Sequence, residues 1–131
     1  MILLDTHALA WAVAEPERLS RAAASAIRRA RTGGGIALAA ISLWELALMF
    51  SRGLLRSQGS LESSVRLLLE SSGAVVKPIT PEIAALAMHF PPDFPGDPAD
   101  RLIGATARAE GLPLVTRDER IRSSPLLKTI W

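Results

Sequence analysis

The sequence predicts an α/β fold in which a central parallel sheet of four to five strands carries helices on both faces. Three observations predict it. Short apolar runs recur along the chain at Met1-Ile2-Leu3-Leu4, Ile36 to Ile41, Ala74 to Ile79 and Leu112 to Thr116, each short enough for a strand buried on both faces. Between them lie segments with apolar residues at helical spacing, usually two per interval, as crossover connections of parallel strands require. Finally, the runs or the helices that follow them carry acidic residues at the end where parallel sheets bind ligands.

The elements follow in order. The first apolar run stops at Asp5, and Thr6 to Ala14 reads as a short helix broken by Glu15-Pro16. His7 has no histidine partner at metal-ligand spacing and is read as an ordinary first-turn residue. Leu19, Ala22, Ala23, Ala26, Ile27 and Ala30 mark the buried face of a second helix, with Arg18, Arg21, Arg28 and Arg31 on a solvated side. Gly33-Gly34-Gly35 ends it. This triple glycine precedes a strand, and no Gly-Lys-Ser/Thr follows, so it is a turn and not a phosphate loop.

The second strand leads into a helix with Leu43, Leu46, Ala47 and Phe50 on its apolar face. Ser42 and Glu45 match an S-x-x-E capping box, which would place Glu45 in the first turn. Leu61, Val65, Leu68 and Leu69 define another helix, expected to pack beside the previous one. After the third strand, Thr80-Pro81-Glu82 opens a helix with an N-cap and a proline at its first position. The rigid segment Pro91 to Gly96 then delivers Asp97 as an N-cap, Pro98 at N1 and Asp100 at N3 of a helix running to Glu110-Gly111. The fourth strand is followed by Arg117-Asp118, one helical turn at Glu119 to Arg122, and a short edge strand within Leu126 to Ile130.

Composition bounds the function. The 131 residues make one domain, 1–131, with 49% hydrophobic and 21% charged residues, enough for a single core. Cysteine is absent, which excludes disulfides and thiolate metal sites and is compatible with a reducing cytoplasm. The apolar start lacks a basic n-region and meets Asp5 too soon for a signal peptide, and no stretch is long enough to span a membrane, so a soluble cytoplasmic protein is expected. The net charge is +2, from 15 basic and 13 acidic residues; with four carboxylates set aside in a metal site the count is 15 against 9, or +6, a surface able to hold phosphates.

Asp5, Glu45, Asp100 and Asp118 each have an ordinary structural reason singly, as a strand end or a helix cap. Brought together with no paired lysine they repel one another, and a cation relieves the cost. Oxygen ligands select Mg²⁺ or Mn²⁺ over zinc, and such a cluster suits phosphodiester hydrolysis.

The segments Leu3-Leu4-Asp5-Thr6-His7-Ala8-Leu9, Ile41-Ser42-Leu43-Trp44-Glu45, Asp97 to Ala107 and Leu114-Val115-Thr116-Arg117-Asp118 resemble, in order and spacing, the four acidic motifs of PIN domains, and more narrowly those of VapC toxins of type II toxin–antitoxin systems. The resemblance covers essentially the whole chain. It implies a PIN-like three-layer α/β/α fold and a Mg²⁺- or Mn²⁺-dependent endoribonuclease. On this resemblance Asp5 and Asp100 hold the metal most directly, and Glu45 and Asp118 complete the cluster or position water. Thr6, Ser42 and Thr116 match supporting hydroxyl positions, and Asp97 an outer one. An RNA substrate, a cognate antitoxin and a homodimer are also implied.

Two rivals belong to other classes. A haloacid-dehalogenase-type phosphatase wants a second aspartate where His7 stands and a lysine that neither Lys77 nor Lys128 supplies. The other is a catalytically inactive PIN-like module that binds RNA or protein.

Overall fold

The computed structural model describes residues 1–131. Five parallel strands, β1 (Ile2–Leu4), β2 (Ile36–Ala39), β3 (Val75–Lys77), β4 (Leu114–Val115) and β5 (Thr129–Ile130), form one sheet in the order β3-β2-β1-β4-β5. Seven helices connect them: α1 (Thr6–Ala14), α2 (Arg21–Thr32), α3 (Ile41–Ser51), α4 (Leu61–Ser72), α5 (Pro81–Met88), α6 (Pro98–Glu110) and α7 (Glu119–Arg122).

Alternation along the strands divides the core into two layers. Leu4, Ile36, Leu38 and Val115 face α1, α2, α3 and α4, where they meet Leu9, Ile27, Leu46, Phe50 and Leu68. Leu3, Ala37, Ala39 and Leu114 face the opposite way, toward Ile83, Phe90, Phe94 and Ile103 from α5, α6 and their connection. Burial on both faces is why these strands read as unbroken apolar runs. Each fully buried leucine among them contributes about 1.5–3 kcal/mol.

The second layer is built for close approach. Phe90 and Phe94 stack with ring centroids 4.1 Å apart, and a Cβ on Gly104 of α6 would lie 3.1 Å from both rings. Glycine at this one helical position therefore lets the aromatic pair rest directly on α6.

Several boundaries differ from the sequence expectation. The strands are shorter than their apolar runs: β2 ends at Ala39, and β3 spans only Val75–Lys77. The largest correction concerns the capping box. The chain passes from β2 through Ala40, already in helical conformation, so α3 begins at Ile41 without a side-chain cap. Ser42 is inside the helix and fully buried, and Glu45 is the fifth helical residue, in the second turn. Ser42 is turned toward Thr6 instead of toward its own backbone.

Candidate active site

The strand order places β1 between β2 and β4, so connections leave the sheet in opposite directions from its centre and open a crevice at the carboxyl edge. A cavity of about 550 Å³ lies there. Asp5, Glu45, Asp100 and Asp118 all line it, together with Thr6 and Asp97. Five carboxylates from four separate stretches of chain thus share one recess. His7, Trp11 and Arg117 form another part of its wall, and Ile103 and Ile121 supply its apolar lining.

Local structure fixes each group. Asp5 follows β1, its N–H bonded to the Val115 carbonyl, and its Oδ1 accepts the Ala8 N–H at 2.8 Å as the N-cap of α1. Asp97 caps α6 through the Ala99 N–H at 2.8 Å, with Pro98 at N1 and Asp100 at N3, as its sequence predicts. Asp118 caps α7, accepting the N–H groups of Arg120 at 2.9 Å and Ile121 at 3.4 Å. Its Oδ2 also lies 3.5 Å from the exposed Arg120 guanidinium.

Hydroxyl groups orient two of the acids from behind. Thr6 Oγ1 donates to Glu45 Oε1 at 2.5 Å and lies 2.8 Å from Ser42 Oγ. A hydroxyl has one proton, so with Thr6 committed to the carboxylate the Ser42 hydroxyl donates to Thr6. Ser42 and Thr116 are fully buried and do not line the cavity. Thr116 Oγ1 accepts the Asp118 N–H at 3.1 Å, and its hydroxyl also favours the charged form of Asp5. No buried side-chain nitrogen or oxygen in the protein lacks a partner.

The electrostatics record the crowding. Burial raises the Asp5 carboxyl above its ordinary range, against the lowering effect of Thr116 and the Ala8 N–H. Glu45 is raised by burial, opposed by its bond from Thr6, with repulsion from Asp97 and Asp5 adding to the rise. Asp100 is raised to about 6, first by burial and then by Asp97, Asp118 and Glu45, with Arg120 pulling the other way. Burial is the first cause in all three, and repulsion between neighbouring carboxylates adds to it.

Those properties test the fit of a cation. The donors are all oxygen, which suits a hard divalent ion, and the raised carboxyls are the state such an ion would relieve. No three acidic side chains are already drawn tightly enough to enclose an ion, however. Closing on one would therefore take side-chain movement.

Four features of this region were not read from sequence. Trp11, His7 and Arg117 gather at the cavity although sequence spacing does not connect Arg117 to the other two. Arg101, one residue past Asp100, is half-buried and points away from the acids. Its Nε donates to the Pro95 carbonyl at 3.0 Å, Nη1 to Phe90 at 3.1 Å and Ala87 at 3.4 Å, and Nη2 to Pro91 at 3.4 Å and Phe94 at 3.5 Å. The guanidinium thereby holds the whole proline-rich connection that precedes Asp97. Its proximity to that prolyl segment in sequence was the available signal.

Comparison with known proteins shows the family and the fold. The model of the PIN domain matches residues 2–125. Ribonuclease VapC22 of Mycobacterium tuberculosis strain H37Rv is 45% identical over 132 residues, covering 99% of this chain and 98% of that protein. Among solved structures, VapBC2 from Rickettsia felis bound to a DNA fragment from its promoter aligns with a TM-score of 0.73 at 18% identity, over 98% of this chain and 97% of that one. A toxin–antitoxin complex from Klebsiella pneumoniae aligns with a TM-score of 0.66 at 20% identity, over 97% and 95%. At these identities the two structures speak to the shared fold.

Proposed function

The chain belongs to the PIN-domain family and is a homologue of a VapC ribonuclease, and from that premise we propose that it hydrolyses RNA phosphodiester bonds at the carboxylate cavity as the toxin of a toxin–antitoxin pair. The observation that carries this reading is the meeting of Asp5, Glu45, Asp100 and Asp118 in one recess with three of them held above their normal ionisation range. Asp5 and Asp100 would hold Mg²⁺ or Mn²⁺ most directly, with Glu45 and Asp118 completing the donor set. When bound, such an ion polarises the phosphate and activates water for attack.

The chain's own residues prepare that chemistry. Thr6 fixes one Glu45 oxygen and leaves the other for the cavity. The Ala8 N–H holds Asp5 as the cap of α1, and the Thr116 hydroxyl favours its charged form. Asp97 raises the negative potential beside Asp100 and Glu45, which strengthens the pull on a cation. A catalytically inactive binding module would have no need for this set, and no observation favours it.

A cognate antitoxin and a second copy of the chain complete the proposal. Exposed Trp44 and Leu54 line a second recess of about 660 Å³ that shares Thr6, Glu45 and Asp97 with the carboxylate cavity, so a partner seated there would reach the acids. No helix is long and apolar enough to cross a membrane.

The test is cleavage of structured RNA with Mg²⁺ or Mn²⁺ and with EDTA. Cleavage is expected only with the ion, and cleavage that persists in EDTA would overturn the metal role.

A pH prediction follows from the raised carboxyls. A group such as Asp100 binds its proton more tightly when folded, so its favourable contribution is full below its unfolded value of 3.8 and is lost as pH rises through about 6. Mn²⁺ competes with those protons and reverses the trend. Thermal unfolding should show a larger Mn²⁺-induced rise in Tm at about pH 7.5 than at about pH 5. Equal shifts at both would separate ion binding from these carboxyls.

A further inference from the structure

We propose that Arg117 is a substrate-binding residue that takes an RNA phosphate at the mouth of the carboxylate cavity, and that Trp11 is the positioning residue that holds its guanidinium there. The inference rests on the ribonuclease reading and adds to it how a polyanion is held beside five carboxylates.

Arg117 lines the cavity but is exposed. Four ion pairs form in the protein, Arg18 with Glu15, Arg66 with Glu62, Lys77 with Glu110 and Arg120 with Asp118, and Arg117 is in none of them. Nor does its side chain make a hydrogen bond within the protein. A guanidinium next to a recess lined with acids, yet with its donors unspent, is available for a bidentate phosphate contact.

Its position is nonetheless defined. The preceding residue, Thr116, is fully buried, with its N–H bonded to Ile130 and its hydroxyl to the Asp118 N–H, so the backbone on both sides is pinned. The guanidinium carbon lies 5.8 Å from the centre of the Trp11 ring, within cation–π range. Trp11 is itself steadied by Trp131 at 6.0 Å, by His7 at 5.7 Å and by Arg18 at 4.7 Å. Arg18 is already engaged by Glu15 at 3.2 Å, which leaves Arg117 as the free cation of this cluster.

The physical need is clear. The recess repels phosphate from every acidic side, and a cation bound there neutralises only part of that charge. A fixed guanidinium on the rim supplies attraction where the strand of RNA must enter, and the indole keeps it from folding back onto the carboxylates.

The test uses the full chain in the Asp5→Asn background, so that RNA is bound without being cut, and a labelled hairpin RNA with a randomised loop as the probe. Arg117→Ala is expected to weaken binding about tenfold or more and to lower the salt dependence of binding by about one phosphate contact. Arg117→Lys should keep the salt dependence but recover only part of the affinity. Trp11→Leu should weaken binding less, and its effect should vanish when Arg117 is already alanine. In the otherwise wild-type chain, Arg117→Ala should raise KM far more than it lowers kcat and leave the Mn²⁺-induced rise in Tm unchanged.

Unaltered binding and salt dependence in Arg117→Ala would overturn the inference while leaving the ribonuclease reading intact. Additive losses in the double variant would overturn the role of Trp11 as a support for Arg117, and would mean that the indole meets a base itself. Failure of the unsubstituted chain to cleave RNA in any divalent ion would remove both readings.

Discussion

Asp5→Asn is expected to abolish RNA cleavage while leaving the protein at least as stable as before. The opposite signs come from one residue having two roles. As the N-cap of α1, Asp5 needs only an oxygen to accept the Ala8 N–H, and asparagine caps a helix as well as aspartate. As a charge, it is costly, since burial dominates its surroundings and raises its pKa. Removing the charge relieves that cost. Removing it from the cavity also removes the central member of the proposed donor set, and a loss of about 10²–10³-fold or more in cleavage rate is expected. Calorimetry and initial rates on structured RNA check both halves. A variant that cleaves like the parent would exclude Asp5 from the chemistry, and one that unfolds would make its role structural.

The second large effect is expected from Arg101→Ala. The guanidinium reaches five backbone carbonyls between Ala87 and Pro95, three of them in the Phe90–Phe94 stretch and one, Ala87, in the last turn of α5. Helix α5 ends at His89 without a glycine cap, so the cation also serves its carbonyl end. Alanine would leave those carbonyls to compete for water in a part-buried loop. Charge-assisted bonds contribute about 1.5–3 kcal/mol each when isolated but less when shared among weak contacts, so the loss should total about 3 kcal/mol. That corresponds to a fall of roughly 10 °C in Tm.

Activity should fall with it, because the same loop sets where Asp97 and Asp100 begin α6. The diagnostic result is a higher Mn²⁺ concentration for half-maximal rate in the folded variant at low temperature. Lysine, with one ammonium for five acceptors, should restore little. A variant with unchanged Tm would show that water replaces the guanidinium at no cost.

How far the sequence disclosed the site depended on the range of the forces involved. The Asp97, Pro98 and Asp100 arrangement was legible because a cap is a local event, decided within four residues. The parallel sheet was legible because burial on both faces leaves unbroken apolar runs. The capping box at Ser42 misled for the complementary reason. Its residues satisfy the local pattern, but Thr6, thirty-six positions earlier, offers Ser42 a buried partner, and the helix starts early to reach it. Pairwise contacts of that separation have no trace in a window of sequence. The gathering of Trp11, Arg117 and Trp131 was illegible on the same ground.

The strand order has a further consequence for when the protein becomes active during its own synthesis. The recess needs Asp5 beside Asp118, and these meet only when β4 docks against β1 after nearly the whole domain has been made. Until then the amino-terminal strands can pair as β1 with β2 and β2 with β3, yet the carboxylate set is incomplete. Long-range parallel pairing is slow to form, so it comes late in folding. The carboxylate set is thus the last part of the domain to be assembled, well after the β1–β2 and β2–β3 pairs can form.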